Sequence, residues 1–437
     1  VDRENNGSGN DGFDNDEFEN EELSDERTPE EEREFSREEL RRRLRRETRR
    51  VTKAMQDAAY LRMERDLRRD KWRGLLIAVT FVLVFTAAAV FYMKNYTYTT
   101  YSVDSETRMG SLNRAKLLNF GNGTLVIGSD TISYMEGDAI LSSETVSFQT
   151  PVVAIEGDYY AVCDNGGYQV YIGDKSGIIS TVKVSRRVRG LDISASGVIA
   201  VFTESNDAAY ISYFDRFGSR LAVEVKTVLD ASGYPMDISV SPDGQKLLVS
   251  YYSTANGIGE SRLVLYDFEH GRSDANYIAA SWENFYDTNT LLVDGDFFDD
   301  NNFVAIGDNE AAFLSYDNLN GAAEPVIIPF TDPVRSVLIS NGYFFMVTET
   351  AEGNLMTVCD KKGAVYSSFS VPENYDCIRT NGRNVLLMND ENLWYYNFSG
   401  RRRYAGALVS VPVDVCFTGK KSLLVNNGTV IERITLK

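Results

Sequence analysis

Apolar and polar residues are distributed along this chain in three regimes. Residues 1–73 are charged throughout and contain no long apolar run. Gly74–Met93, GLLIAVTFVLVFTAAAVFYM, is a run of twenty residues without one ionisable side chain. Beyond Tyr96, short alternating apolar segments recur, punctuated by Gly, Asn and Asp. A helix over the apolar run, at about 1.5 Å rise per residue, reaches roughly 30 Å, the thickness of a bilayer's hydrocarbon core. Arg62, Arg65, Arg68, Arg69, Lys71 and Arg73 crowd its N-terminal flank, whereas only Lys94 stands on the other flank before Arg108. The positive-inside rule then puts the N-terminal arm in the cytoplasm and everything after Tyr96 outside, with residues 74–93 in the lipid bilayer. The run lies too far along the chain, and lacks the small-residue cleavage pattern, to read as a secretory signal peptide; a retained single-pass anchor in the cell membrane is expected.

The third regime is a repeat. Units open near Arg114 (RAKLLNF), Val152 (VVAIEG), Leu191 (LDISAS), Met236 (MDISVS), Leu291 (LLVDGDF), Arg335 (RSVLIS), Tyr375 (YDCIRT) and Pro412 (PVDVCFT). Their spacing averages about 42 residues, within the range of four-stranded propeller blades. The sixth unit shows the layout: VRSVLIS, YFFMVTET, NLMTVCD and AVYSSFSV are four candidate strands separated by NG, AEG and KKG. Asp-x-x-Gly recurs between third and fourth strands at Asp174–Gly177, Asp215–Gly218 and Asp360–Gly363, with Asn397–Gly400 a variant. These are hairpin devices, since Asp or Asn bonds the turn it opens and Gly accepts positive φ. The last unit supplies only three strands, and Tyr96–Val103 can provide the fourth by pairing with Thr429–Lys437, which closes the ring and removes two exposed edges. The expected fold is an all-β, closed β-propeller over residues 96–437 with eight blades, or seven if the first or fifth unit is irregular.

Charge divides the N-terminal arm. The net charge of the chain is -19; residues 1–30 carry twelve acidic and two basic groups, and residues 31–73 carry ten acidic and sixteen basic. The first segment cannot bury enough apolar surface to offset its ordering entropy and is expected to be a disordered tail. The second, free of Gly and Pro between Glu30 and Arg73, is expected to be a charged helix. Leu40, Leu44, Val51, Ala54, Ala58 and Leu61 fall along a coiled-coil seam that Glu47 and Arg65 interrupt, so self-association through residues 37–68 competes with a helix lying on anionic lipid and with a plain solvated stalk. The acidic remainder argues against a nucleic-acid partner.

Motifs for catalysis are scarce. His270 is the single histidine, which removes most zinc sites and histidine triads. No phosphate loop, dinucleotide fingerprint, HExxH, CxxC or GxSxG occurs, so no cofactor, metal or catalytic residue is assigned. Asp294, Asp296, Asp299 and Asp300 cluster in VDGDFFDDNN but lack EF-hand spacing, and read as a solvated turn. Cys163, Cys359, Cys377 and Cys416 read as free thiols. Runs such as GYFFMV and LWYYNF read as packing between blades. One pattern suggests a binding surface. Second strands of several units end in an acid, at Asp130, Asp164, Asp308 and Asp390, with Asn426 in the equivalent place. In a propeller these would share one face, where a rim of carboxylates attracts cationic or amine-bearing ligands; the competing reading is that Asp simply stops strands.

An acidic tail, the basic helix RRRLRRETRRVTKAMQDAAYLRMERDLRRDKWRG, one span and a propeller-like repeat together resemble an uncharacterised family of Gram-positive membrane proteins known as a domain of unknown function. MDISVSPDGQKLLVSYYS followed by RLVLYDFEHG is also similar to WD40 or TolB-type blades, although the Gly-His and Trp-Asp pairs of true WD40 repeats are missing. The resemblance implies architecture and carries over no site residue. The expected function is a membrane-anchored binding or scaffold protein presenting a propeller to a protein or cell-envelope partner; the alternative is a glycan hydrolase or lyase using paired carboxylates.

Overall fold

The computed structural model describes residues 29–254, 257, 259–269, 277–282, 290–316 and 324–437. The acidic tail up to residue 28 and His270 lie outside the described residues. The chain divides into two units, with the boundary between Asn95 and Tyr96.

In the first unit a single helix, α1, runs from Pro29 to Asn95, 67 residues without a break. Pro29 and Glu30, expected in the tail, open it. Proline suits the first helical turn, where its missing N–H is one that would have no partner anyway. The charged arm and the apolar run are continuous because Gly74, the one glycine between them, costs only about 1 kcal/mol in a helix and has no neighbouring atom to accommodate. Arg68 and Glu64 pair at 2.7 Å one turn apart. α1 contains the one helix segment among the described residues that is long and apolar enough to cross a membrane.

The second unit is a ring of eight four-stranded antiparallel sheets. Blades 1 to 7 occupy residues 116–145, 151–183, 187–228, 234–282, 292–329, 334–371 and 377–407, each running outward from its first strand to its fourth. Blade 8 takes three strands from residues 414–436 and its outermost strand, Tyr101–Thr107, from the start of the unit. The closing pairs run from Tyr101 with Leu436 to Thr107 with Ile431. The closing strand therefore begins five residues later than the sequence suggested. Tyr96–Thr100 instead anchor the entry: the Tyr98 amide donates to the Arg403 carbonyl at 2.7 Å, the Thr99 amide to the Lys437 carbonyl at 2.8 Å, and Tyr98 stacks on Tyr395.

Hydrophobic clusters fill each of the eight junctions between neighbouring blades, including blade 8 against blade 1 through Cys416, Leu424, Leu117 and Val126. Alternating side chains of each strand serve the two flanking junctions, which is why the units read as period-two segments. The Asp-x-x-Gly turns behave as expected. The Asp215 carboxylate accepts the amides of Phe217 and Ser219 at 2.9 and 2.8 Å. Gly218 takes φ +82°, a value disfavoured by any side chain.

Candidate functional site

Connections of two kinds gather at the ends of a propeller. Those joining second to third strands, and each blade to the next, share one end; those joining first to second and third to fourth strands share the other. Asp130, Asp308 and Asp390 fall in second-to-third connections and Asp164 ends its second strand, so the four share the first end. Three of them hold the chain entering their own blade. Asp130 accepts the Ser111 amide at 3.1 Å, Asp164 accepts those of Gln149 and Thr150 at 3.0 and 2.6 Å, and Asp308 accepts that of Leu291 at 2.9 Å. Asp390 is exposed beside Asn389, which makes the equivalent link through its side-chain amide to the Asn374 carbonyl. Asn426 is fully buried and donates to Leu112 and Ala115 of the next blade's entry.

The same end carries an open, polar depression of about 640 Å³ where blade 2 hands over to blade 3, lined by Tyr168, Arg186, Arg187, Arg189, Glu204 and Asn206 among others. Each guanidinium is held in place. Arg186 lies 3.6 Å over the Tyr210 ring, Arg187 donates to the Tyr168 hydroxyl at 3.4 Å, and Arg189 pairs with Glu204. Burial pushes Glu204 upward, but bonds from Arg189 and Tyr234 outweigh it and hold its pKa below the usual value. Three arginines in four residues on an acidic chain make this a local reversal of charge.

The inner strands carry a second feature, toward the opposite end. In blade 3 Asp192 pairs with Ala200, in blade 4 Ser239 pairs with Leu248, and in blade 5 Asp296 pairs with Val304; each stands one pair before the last of its inner ladder. Two residues earlier along their strands stand Asp237 of blade 4 and Asp294 of blade 5. The groups interlock across blades. Asp192 accepts the Val240 amide at 2.6 Å, and Asp296 accepts the Ser239 hydroxyl at 2.8 Å. Asp192, Asp237 and Asp296 are half-buried, Ser239 is buried and Asp294 is exposed.

Such confinement disfavours charge. Desolvation, then the charge of Asp296, raises Asp192 to about 8. Desolvation raises Asp296 to about 6, with Asp294 adding to it. Asp237 is raised by desolvation, then by the charge of Asp294 and a hydrogen bond to it. Glu156, at the end of blade 2's first strand, is raised by burial and by Asp300. None of Asp192, Asp237, Asp294 and Asp296 has an ion-pair partner among the described residues. Across the ring, by contrast, Asp414 is paired with Arg379 at 2.9 Å and accepts the Leu117 amide.

Three buried polar atoms among the described residues lack a hydrogen-bond partner: the Tyr213 hydroxyl, Ser250 Oγ and Arg379 Nε. Both hydroxyls lie behind the inner strands that carry the acids. Tyr213 pairs with Ala200, which pairs with Asp192, so the three form one row on one sheet face, with a small residue between phenol and carboxylate. The Asp192 charge adds to burial in raising the Tyr213 pKa. Ser250 stands directly across from Asp237, on the face that packs against blade 5.

VDGDFFDDNN is thus not one turn. Asp294 and Asp296 lie in a strand facing the channel. Asp299 caps the following turn and pairs with Lys361 at 2.6 Å, which with the turn amides outweighs burial and holds it at about 2. Asp300 accepts the Asp243 amide of blade 4 at 2.7 Å. LDIS and MDIS look alike in sequence but are out of register, since Asp192 is equivalent to Ser239 and not to Asp237. The cysteines are free, and burial raises Cys163 and Cys416 to about 12.

No curated protein matches the chain in sequence. Among solved structures it is similar to BamB from Moraxella catarrhalis, at 11% identity and TM-score 0.48 over 77% of this chain and 100% of that one. It is also similar to apo AztD from Citrobacter koseri, at 12% identity and TM-score 0.46 over 68% and 87%. The Dos1 propeller aligns at 11% identity and TM-score 0.49 over 78% and 95%. Residues 94–436, the whole propeller, match the family of unknown function DUF5711, and the chain belongs to that family.

Proposed function

We propose that the chain is a membrane-anchored binding or scaffold protein: residues 74–93 span the cell membrane, the N-terminal arm is cytoplasmic, and the propeller outside presents its loops to a protein or cell-envelope partner. The observation that carries this reading is the arginine-lined depression between blades 2 and 3. Its guanidinium groups are pre-positioned by Tyr210, Tyr168 and Glu204, so little side-chain freedom is lost when an anionic group docks. A fork of N–H donors suits carboxylate or phosphate. Asp130, Asp164, Asp308 and Asp390 add acceptors elsewhere on that end and favour a partner of mixed charge. The cytoplasmic seam of Leu40, Leu44, Val51 and Leu61 is exposed in the single chain and offers a route to self-association.

Crosslinking in intact cells, followed by purification of the full chain, tests the reading. Arg186→Glu with Arg187→Glu should remove partners crosslinked to the wild-type protein while leaving a cooperative melt, since Arg187 is exposed and Arg186 is half-buried against Tyr210 alone. An unchanged set of crosslinked partners would sink it.

A further inference from the structure

We propose that α1 pairs in parallel with α1 of a second copy of this chain, with Leu44, Val51 and Ala58 at the a positions of a heptad and Leu40, Ala54 and Leu61 at the d positions. The pairing rests on the proposed span at residues 74–93 and gives the route to self-association a partner, an orientation and a register. It does not depend on the arginine-lined depression.

The unbroken course of α1 narrows the alternatives. Residues 40–73 continue into the apolar run as one helix and cover about 50 Å at the usual rise. A helix that continues a span leads away from the bilayer, so the arm can lie along anionic lipid only by breaking, and α1 has no break. Two copies inserted the same way in one membrane are parallel, whichever side the arm occupies. The seam keeps its three- and four-residue spacing into the apolar run at Trp72, Leu75, Val79 and Val82. Leu40, Leu44, Val51, Leu61 and Trp72 are each at least half exposed in the single chain.

Charges beside the seam fit a second copy. In a parallel pair, the residue before each a position meets the residue five further along the other helix. Here Arg43 meets Thr48, Arg50 meets Met55, Asp57 meets Arg62, Glu64 meets Arg69 and Lys71 meets Leu76. Two of these five contacts attract and none repels, although residues 31–73 carry sixteen basic groups. Three charged residues interrupt the seam itself. Arg68 is drawn aside to Glu64 at 2.7 Å, and Arg65 falls beside Glu64 of the second copy. Glu47 meets its own counterpart, a cost in stability that penalises other registers less than it weakens a free arm, so pairing is expected where the membrane concentrates the chains.

The test is oxidative crosslinking with copper phenanthroline of full-length single-substitution variants in isolated membranes. Ala54→Cys and Ala58→Cys lie on the seam, and Gln56→Cys and Ala59→Cys lie off it. The wild-type chain, whose own cysteines are buried or half-buried, sets the background. Disulfide-linked dimer is expected in the seam variants at least fivefold above the other two. Adding Asp57→Arg with Glu64→Arg to Ala54→Cys should cut the yield at least threefold, and further adding Arg62→Glu with Arg69→Glu should restore it. Equal yields at the four positions mark random collision of a solvated stalk or a lipid-bound helix and overturn the proposal. So does a seam yield at background, and so does failure of the charge exchange to restore the dimer. If the chain meanwhile resists extraction by alkaline carbonate, these outcomes leave the membrane anchor standing. Release by carbonate overturns the anchor and the parallel pairing together.

Discussion

Asp192 accepts an amide from the neighbouring blade and nevertheless has its pKa pushed up to about 8, so desolvation outweighs the hydrogen bond. Unfolding returns it to the ordinary carboxylate value of about 4. The folded state therefore holds this proton more tightly than the unfolded state does. Its contribution to stability is fully present below about pH 4 and is lost as pH rises toward 8. Asp192→Asn keeps an acceptor for the Val240 amide and cannot ionise. In metal-free buffer its melting temperature should match the wild type near pH 4.5 and exceed it by about 3 °C at pH 8.5, corresponding to about 1–2 kcal/mol in a unit of this size. A difference that does not grow with pH would contradict the assignment. The rim aspartates were legible in the sequence as a recurring strand end, whereas the channel acids were not. Equivalence of Asp192, Ser239 and Asp296 is hidden because the middle member is serine and the hairpin that follows it is one residue longer than the other two. Which side of a strand faces the channel depends on register, and acids three residues apart such as Asp296 and Asp299 part company at the strand end.

Elements were more legible than residues because strands, turns and blades are specified locally. Alternation, Asp-x-x-Gly and the recurring unit starts indicated the blades, and the three-strand last unit indicated that the ring borrows a strand. The borrowed strand was misplaced by five residues because YTYTTYSV alternates as well in either position; what decides is the hydrogen bonding of Tyr98 and Thr99 to Arg403 and Lys437. Ending the chain after Asn427 removes Ile431, Ile434 and Leu436, all buried, and leaves Tyr101–Thr107 without a neighbour. Three such side chains contribute about 1.5–3 kcal/mol each, a large part of a typical stability of about 5–15 kcal/mol. The truncated protein should lose its cooperative melt or melt at least about 10 °C lower; melting at the parental temperature would show that the ring does not depend on this closure.

At the scale of the whole molecule, the proposed orientation rests on the charge around the apolar run. Protease added to wall-stripped intact cells should digest the region beyond Tyr96 and spare the arginine-rich arm. Protection of the propeller with loss of the arm would reverse the topology. The pairing of Tyr101 with Leu436 also has a consequence for biosynthesis. At about 5–20 residues per second, the partner strand emerges some 15–70 s after Tyr101–Thr107. Throughout that interval the early strand is an unpaired edge that follows α1 within a few residues, open to pairing with whatever strand-forming chain is nearby. In the proposed topology, export should therefore depend on a factor that shields nascent β-edges at the membrane until Ile431–Leu436 has emerged to pair with the early strand.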